Sequence, residues 1–228
     1  NQQLFLTSAN SINVASWLPQ QFYYFFAYKQ WKEKSGQPVV CVPSGNFGNI
    51  CAGILAKLTG LPLGHFIAAC NVNDIVSDYL NTQQLNPKQA VATVSNAMDV
   101  GNPSNFTRII ELFKNDFPTL KDNLSSFTVT DKETIETIKS VFNQHHYLLD
   151  PHGAVAYMAL EKYLQQHPQK EGFILETAHP VKFPEAVELA TNTKIPLPQS
   201  LNYLMQQEKK SIEISTEYDD FKDWLLHL

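Results

Sequence analysis

The residues with the clearest chemical capacity stand in one short run, Pro43-Ser44-Gly45-Asn46-Phe47-Gly48-Asn49, between an apolar tetrapeptide and a helical stretch. Gly45 and Gly48 let backbone N–H groups come close to an anion and turn towards it. A helix starting here adds a partial positive charge and unpaired donors. Ser44, Asn46 and Asn49 add side-chain hydrogen-bonding groups. A phosphate suits this combination. No lysine of the nucleoside-triphosphate loop follows, and the GxGxxG spacing of dinucleotide sites is missing. An ordinary glycine-containing turn between a strand and a helix is the other reading, and spacing alone leaves both open.

The remaining candidates are scattered. Arg108 is the single arginine; its fork could pair with an anion or cover a helix surface. His152 and His179 each sit beside a proline at a loop-to-helix junction, where a satisfied structural histidine is commoner than a reactive one. Asp74 and Asp99 read as loop-ordering residues rather than acid–base catalysts. Cys41, Cys51 and Cys70 form no CxxC pair and no Cys/His ligand spacing, so no metal site is expected; Cys41, inside Val39-Val40-Cys41-Val42, reads as a small buried hydrophobe.

The elements that must position these groups alternate. Residues 11–35 read as a helical stretch rich in aromatics, kinked or restarted at Pro19 and ending at Ser35-Gly36. Aromatics on nearly every side of it predict more than one packing partner. Strands are expected at Val39–Val42, His65–Cys70, Phe127–Thr130 and Phe173–Thr177. Helices are expected at Asn49–Thr59, closed by Gly60 as a left-handed cap, and at Asn73–Leu80 and Ser104–Lys114. A Thr130/Glu133 capping box opens a helix running to about Gln144, and Asp150-Pro151 opens another running to about Gln165. Short apolar strands alternating with helices predict an α/β fold, a mainly parallel sheet with helices on both faces, and ligands at the carboxyl ends of its strands.

Composition narrows the function classes. With 43% hydrophobic and 17% charged residues the chain supports a sizeable core. A net charge of −5 with no basic stripe disfavours nucleic-acid binding. The apolar runs fall far short of a membrane span, and the first cation is Lys29, so no signal peptide is read at the start. The cysteine usage fits a reducing, cytoplasmic location.

The wording Ser44-Gly45-Asn46-Phe47-Gly48-Asn49 resembles the phosphate cup of fold-type II pyridoxal phosphate enzymes, and that of the threonine synthase family in particular. Four further segments match the same family in the same order. They are Asn10-Ser11-Ile12-Asn13, Asn71-Val72-Asn73-Asp74, Ser95 to Val100 with Pro103-Ser104-Asn105, and Thr177-Ala178-His179-Pro180-Val181-Lys182-Phe183. The resemblance covers residues 8 to 190, and the segment from 195 onward adds little to it.

The resemblance implies a C-terminal portion of such an enzyme. Residues 1–36 form a helical segment at an inter-domain region, and 37–228 the C-terminal part of the large cofactor-binding α/β domain. It implies pyridoxal 5'-phosphate as cofactor, its phosphate held by Ser44, Gly45, Asn46, Phe47, Gly48 and Asn49, mainly through backbone N–H groups. Thr177 matches the hydroxyl that meets the pyridine nitrogen. The implied reaction converts O-phosphohomoserine and water to threonine and phosphate by γ-elimination and β-addition of water. Ser11, Asn13, Asn96 and Arg108 are candidate substrate contacts. The Schiff-base lysine lies upstream in this family, so no catalytic residue is assigned here, and the chain alone is expected to be inactive and to self-associate through its uncovered aromatic helix. A related fold-type II lyase, or a threonine synthase-like phosphatase or binding protein, is the alternative.

Overall fold

A computed structural model describes residues 10–31 and 36–227. The chain divides into two compact units, with the division falling between Ile195 and Pro196. The first holds helix α1 (Trp17–Trp31), strand β1 (Val39–Pro43), α2 (Gly48–Leu58), β2 (His65–Cys70), α3 (Ile75–Thr82), α4 (Phe106–Leu112), α5 (Phe117–Asn123), β3 (Leu124–Thr128), α6 (Asp131–His145), α7 (Pro151–Gln166), β4 (Gly172–Ile174) and α8 (Pro184–Thr191). The second holds α9 (Asn202–Met205) and α10 (Tyr218–Leu226), with Phe221 stacked on Trp224.

The four strands form one sheet in the order β3-β2-β1-β4, and every pair is parallel. Central strands of such a sheet are covered on both faces, which is why Val39 to Val42 and Phe66 to Cys70 are apolar without alternation and buried throughout. Val40, Val42, Phe66 and Ala68 pack with Tyr24, Ile50 and Ile54 on one face. Val39, Cys41, Ile67 and Ala69 pack with Val155, Ala156 and Ala159 of α7 on the other. The expected fold class is the observed one.

Three elements differ from the sequence expectation. β3 runs Leu124–Thr128, three residues earlier than expected. Its two serines hid it: Ser126 Oγ donates to the Ala68 carbonyl at 3.0 Å, and Ser125 Oγ meets His65 Nε2 at 2.8 Å, so polar residues satisfy each other on an edge strand. β4 stops at Ile174, leaving Leu175 to Thr177 beyond the sheet. The third element, α5, was not anticipated, although Asp116 caps it by accepting from Thr119 N–H.

The aromatic stretch begins as a 3₁₀ turn at Val14–Ser16 and becomes α1 at Trp17. Pro19 therefore sits in the first helical turn, where its missing N–H costs no bond. Trp17, Tyr24 and Trp31, spaced by seven, are buried, while Phe22, Tyr23, Phe25 and Phe26 are exposed. The helix packs mainly against α2 and also reaches β2, β4 and α4: Tyr24 meets the Phe66 ring, Trp31 the Phe173 ring, and the Arg108 guanidinium lies over Trp17, so it has more than one packing partner, while the face carrying Phe22, Phe25 and Phe26 stays exposed. Gly53 of α2 makes this approach feasible: a Cβ there would lie 2.3 Å from the Tyr24 ring. The expected end of the stretch at residues 32–35, and the start of the chain to residue 9, lie outside the described residues.

Candidate functional site

The loop between β1 and α2 opens at the carboxyl edge of the sheet, beside the ends of β2 and β4, where open parallel sheets bind ligands. Phe47 turns the corner with φ of 62°, a left-handed conformation that a bulky residue adopts at a cost. Its ring is buried and packs edge-on against Phe106 at 5.4 Å. No side chain caps α2. The first helical bond runs from Cys51 N–H to the Phe47 carbonyl, so the N–H groups of Gly48, Asn49 and Ile50 precede the ladder.

Both glycines are fixed by crowding from behind the loop. A Cβ at position 45 would stand 2.7 Å from the Met98 Cα, and one at position 48 would stand 2.9 Å from the Ser11 Cβ. Nothing larger than glycine fits without moving backbone at position 45.

Most polar side-chain atoms of the loop help to hold its shape. Ser44 Oγ donates to the Val42 carbonyl at 2.8 Å. Asn46 Nδ2 donates to Ser11 Oγ at 2.8 Å, and its Oδ1 accepts from both the N–H and the hydroxyl of Ser104. Asn49 Oδ1 accepts from Tyr24 at 3.0 Å. What remains for a ligand is Asn49 Nδ2 and the backbone N–H groups of Gly48, Asn49 and Ile50.

Two of the four substrate candidates join this brace. Ser11 receives Asn46 and Asn105, and Arg108 Nη1 donates to Asn105 Oδ1 at 2.9 Å while its guanidinium lies 5.0 Å over the Trp17 ring. Arg108 is thus neither loose nor purely superficial; it holds a positive charge two contacts from the loop. Asn13 instead caps the 3₁₀ turn, accepting from Ala15 N–H. Asn96 is exposed and lines a cavity of about 490 Å³ together with Thr93, Asp131, Lys182 and Phe183. Ser104 and Asn105 brace Asn46 from outside the loop, a contact that the sequence does not announce.

A second polar cluster supports Met98 behind Gly45. Asn71 Nδ2 donates to Thr93, Ser95 and Asp99, and Asn73 Nδ2 also reaches Asp99. Asp74 accepts from the Thr128 hydroxyl at 2.9 Å. Asp74 and Asp99 are loop-ordering residues, as their sequence context implied.

Across the loop, Leu175 N–H donates to the Cys41 carbonyl, so the chain leaving β4 passes alongside β1. Thr177 follows, exposed, and its hydroxyl makes no hydrogen bond among the described residues. His179 Nδ1 accepts from Val181 N–H and caps a 3₁₀ turn. His152 is buried against Asp150 and Phe183. The thiols of Cys51 and Cys70 are pushed up to about 12, mainly by burial, which removes them as nucleophiles at neutral pH. Among the described residues no three His, Cys, Asp or Glu side chains are grouped to hold a metal.

Residues 153–224 match the family model "Threonine synthase, C-terminal". The chain is 44% identical over 226 residues to the threonine synthase of Haemophilus influenzae, covering 99% of this chain and 52% of that protein. The crystal structure of threonine synthase from Escherichia coli superposes with a TM-score of 0.90 at 42% identity, over 97% of this chain and 51% of that one. A pyridoxal phosphate-bound threonine synthase from Brucella melitensis gives 0.84 at 31% identity, over 97% and 53%. The chain spans about half the length of the relatives it matches. In sequence and fold it matches the C-terminal portion of threonine synthases.

Proposed function

We propose that this chain is the cofactor-phosphate-holding half of a threonine synthase, which converts O-phosphohomoserine and water to threonine and phosphate with pyridoxal 5'-phosphate. One observation carries the reading: a left-handed turn and an uncapped helix start, at the carboxyl edge of a parallel sheet, leave the backbone donors at the start of α2 outside the helical ladder, while Ser44 and Asn46 are bound into the loop's own frame. That arrangement fits a phosphate ester, and Thr177 supplies a hydroxyl without another partner across the same sheet edge. When bound, the cofactor supplies the electron sink that lets bonds at the substrate's α-carbon break.

The rest follows from this chain's own groups. Backbone N–H groups from Gly45 to Asn49 hold the cofactor phosphate, helped by the positive end of α2. Thr177 holds the ring nitrogen through a neutral hydroxyl, so the ring is not forced to carry a proton and proton movements are directed by position. Arg108, braced by Asn105 and Trp17, biases the neighbourhood of Ser11 towards anions. Asn96, beside Lys182 in its cavity, offers a second place for an anionic substrate group. Asn13 acts by shaping the turn that presents Ser11.

The proposal places residues 1–36 at the boundary with an upstream domain, residues 37–228 in the large domain, and the Schiff-base lysine upstream. Lys57 is a poor substitute: it donates to the Gly64 carbonyl and to Asn123 at 2.7 Å, at the amino end of β2 and away from the loop. The chain alone is accordingly inactive. No helix among the described residues is long and apolar enough to cross a membrane. From its three free cysteines, all buried, we place the enzyme in the cytoplasm. Product analysis of the full-length protein with O-phosphohomoserine tests the reading. Threonine and phosphate in equal amounts support it; phosphate without threonine, or a keto acid as the main product, selects a phosphatase or a different lyase.

A further inference from the structure

The groups around the start of α7 have no part in the reading above, yet they adjoin it. Asp150 caps the helix, accepting from His152 N–H at 2.8 Å, and its Oδ1 lies 3.0 Å from His152 Nδ1. Its other oxygen, Oδ2, is buried without a hydrogen-bond partner. Glu176 comes from the segment after β4, 26 residues later, and its Oε1 accepts from Asp150 N–H at 3.3 Å. Although Glu176 is exposed along part of its length, its carboxyl end is pressed onto the helix. A Cβ at Gly153 would stand 2.1 Å from Oε2 and 2.7 Å from Oε1. Glycine at position 153 therefore makes the seat for this carboxyl.

Two carboxyl groups brought together this closely cannot both ionise cheaply. Burial, then the Asp150 charge, push the Glu176 carboxyl up to about 8. A neutral Glu176 is also the donor that the orphaned Asp150 Oδ2 lacks, since His152 serves Oδ1. Among the described residues, the other titratable groups facing the pair are His152 and Tyr147, whose phenol is pushed up by burial and by both carboxylates.

We propose that Glu176 is a positioning residue for Thr177: a proton shared between Glu176 and Asp150 pins the segment after β4 to the start of α7 and so fixes the Thr177 hydroxyl. Thr177 is the next residue, one Cα step of about 3.8 Å away. The next tie along the chain is the cap at His179. Without the shared proton the two carboxylates repel, the segment lifts, and Thr177 loses its position. This rests on the reading that Thr177 meets the cofactor ring.

The sign of the pH dependence follows. Glu176 titrates near 4.5 when unfolded and near 8 in the fold, so the tie is fully present at low pH and is lost as pH rises through 8. The test uses the full-length enzyme, measuring cofactor dissociation by fluorescence and the melting temperature of the cofactor-free protein, both from pH 6 to 9.5. Wild type should lose cofactor affinity about tenfold as pH rises through the Glu176 titration, with a parallel fall in melting temperature. Glu176→Gln keeps a neutral donor and should hold near-wild-type affinity without either pH step. Glu176→Ala should bind about tenfold more weakly at pH 7, also without the step. Thr177→Val binding like wild type overturns the cofactor reading and this proposal with it. If Thr177→Val weakens binding while Glu176→Ala does not, or if Glu176→Gln keeps the step, only the positioning role is overturned.

Discussion

Tyr24, at the middle of α1, donates its hydroxyl to Asn49 at the start of α2, lying 2.8 Å from the backbone carbonyl and 3.0 Å from the side-chain Oδ1. The aromatic helix is thereby tied to the mouth of the proposed phosphate loop, and a residue that reads as plain core also sets the orientation of a loop side chain. Burial raises the Tyr24 phenol well above its ordinary range, so the hydroxyl remains a donor at any working pH.

Tyr24→Phe should therefore destabilise the protein by about 0.5–1.5 kcal/mol, because the half-buried Asn49 Oδ1 loses its donor while the ring is kept. It should also weaken cofactor binding, since Asn49 is then free to turn. Gly53→Ala should be worse, as its methyl would have to displace the Tyr24 ring. Urea denaturation with cofactor titration on the same variants checks both. A Tyr24→Phe variant with unchanged stability and affinity would reduce α1 to packing alone.

How much of this was legible in the sequence depends on range. The glycine loop, the capping box at Thr130 and the cap at Asp150 are local patterns, and each was read where it stands. Central strands were read because burial on both faces forces uninterrupted apolar runs. β3 was misplaced because Ser125 and Ser126 satisfy their hydroxyls against His65 and the Ala68 carbonyl, a pairing set by residues nearly 60 positions away. For the same reason the bracing of Asn46 and Asn49 is not legible locally. Their partners, Ser11, Ser104 and Tyr24, are brought in by the fold, and nothing local announces them. The Asp150–Glu176 pairing is equally invisible before folding.

The loop itself predicts where an anion goes. Phosphate or sulfate soaked into crystals of this chain should settle over Gly45 to Asn49, contacting backbone N–H groups rather than the Asn46 side chain. Gly45→Ala should abolish that binding, because its Cβ would meet the Met98 backbone rather than a flexible side chain. A soak that fills other places while this loop stays empty argues against the phosphate role.

The open side of α1 predicts the behaviour of the chain in isolation. Leu18, Phe22, Tyr23, Phe25 and Phe26 are all exposed on one helix, and contiguous apolar surface above a few hundred Å² tends to find a partner. Sedimentation of the isolated chain should show self-association. Phe22→Ser with Phe26→Ser should relieve it without lowering stability, since neither side chain is buried. A monomeric wild-type chain would mean that this face tolerates water as it stands.

Thr177 carries the sharpest prediction for the full-length enzyme. Its hydroxyl has no partner among the described residues, so a substitution there breaks no internal bond and reads out the ligand contact alone. Thr177→Ser keeps donor and acceptor and should retain most cofactor affinity. Thr177→Val keeps the shape but leaves the ring nitrogen unpaired in a closed site, at a cost of about 1–3 kcal/mol. Cofactor binding should then weaken roughly ten- to a hundredfold. Thr177→Asp should favour a protonated ring and shift the balance between threonine and side products. Cofactor dissociation for the three variants, with product ratios for the Asp variant, measures this. If the Val variant binds cofactor as tightly as wild type, Thr177 leaves the site, and the segment after β4 loses its link to the cofactor.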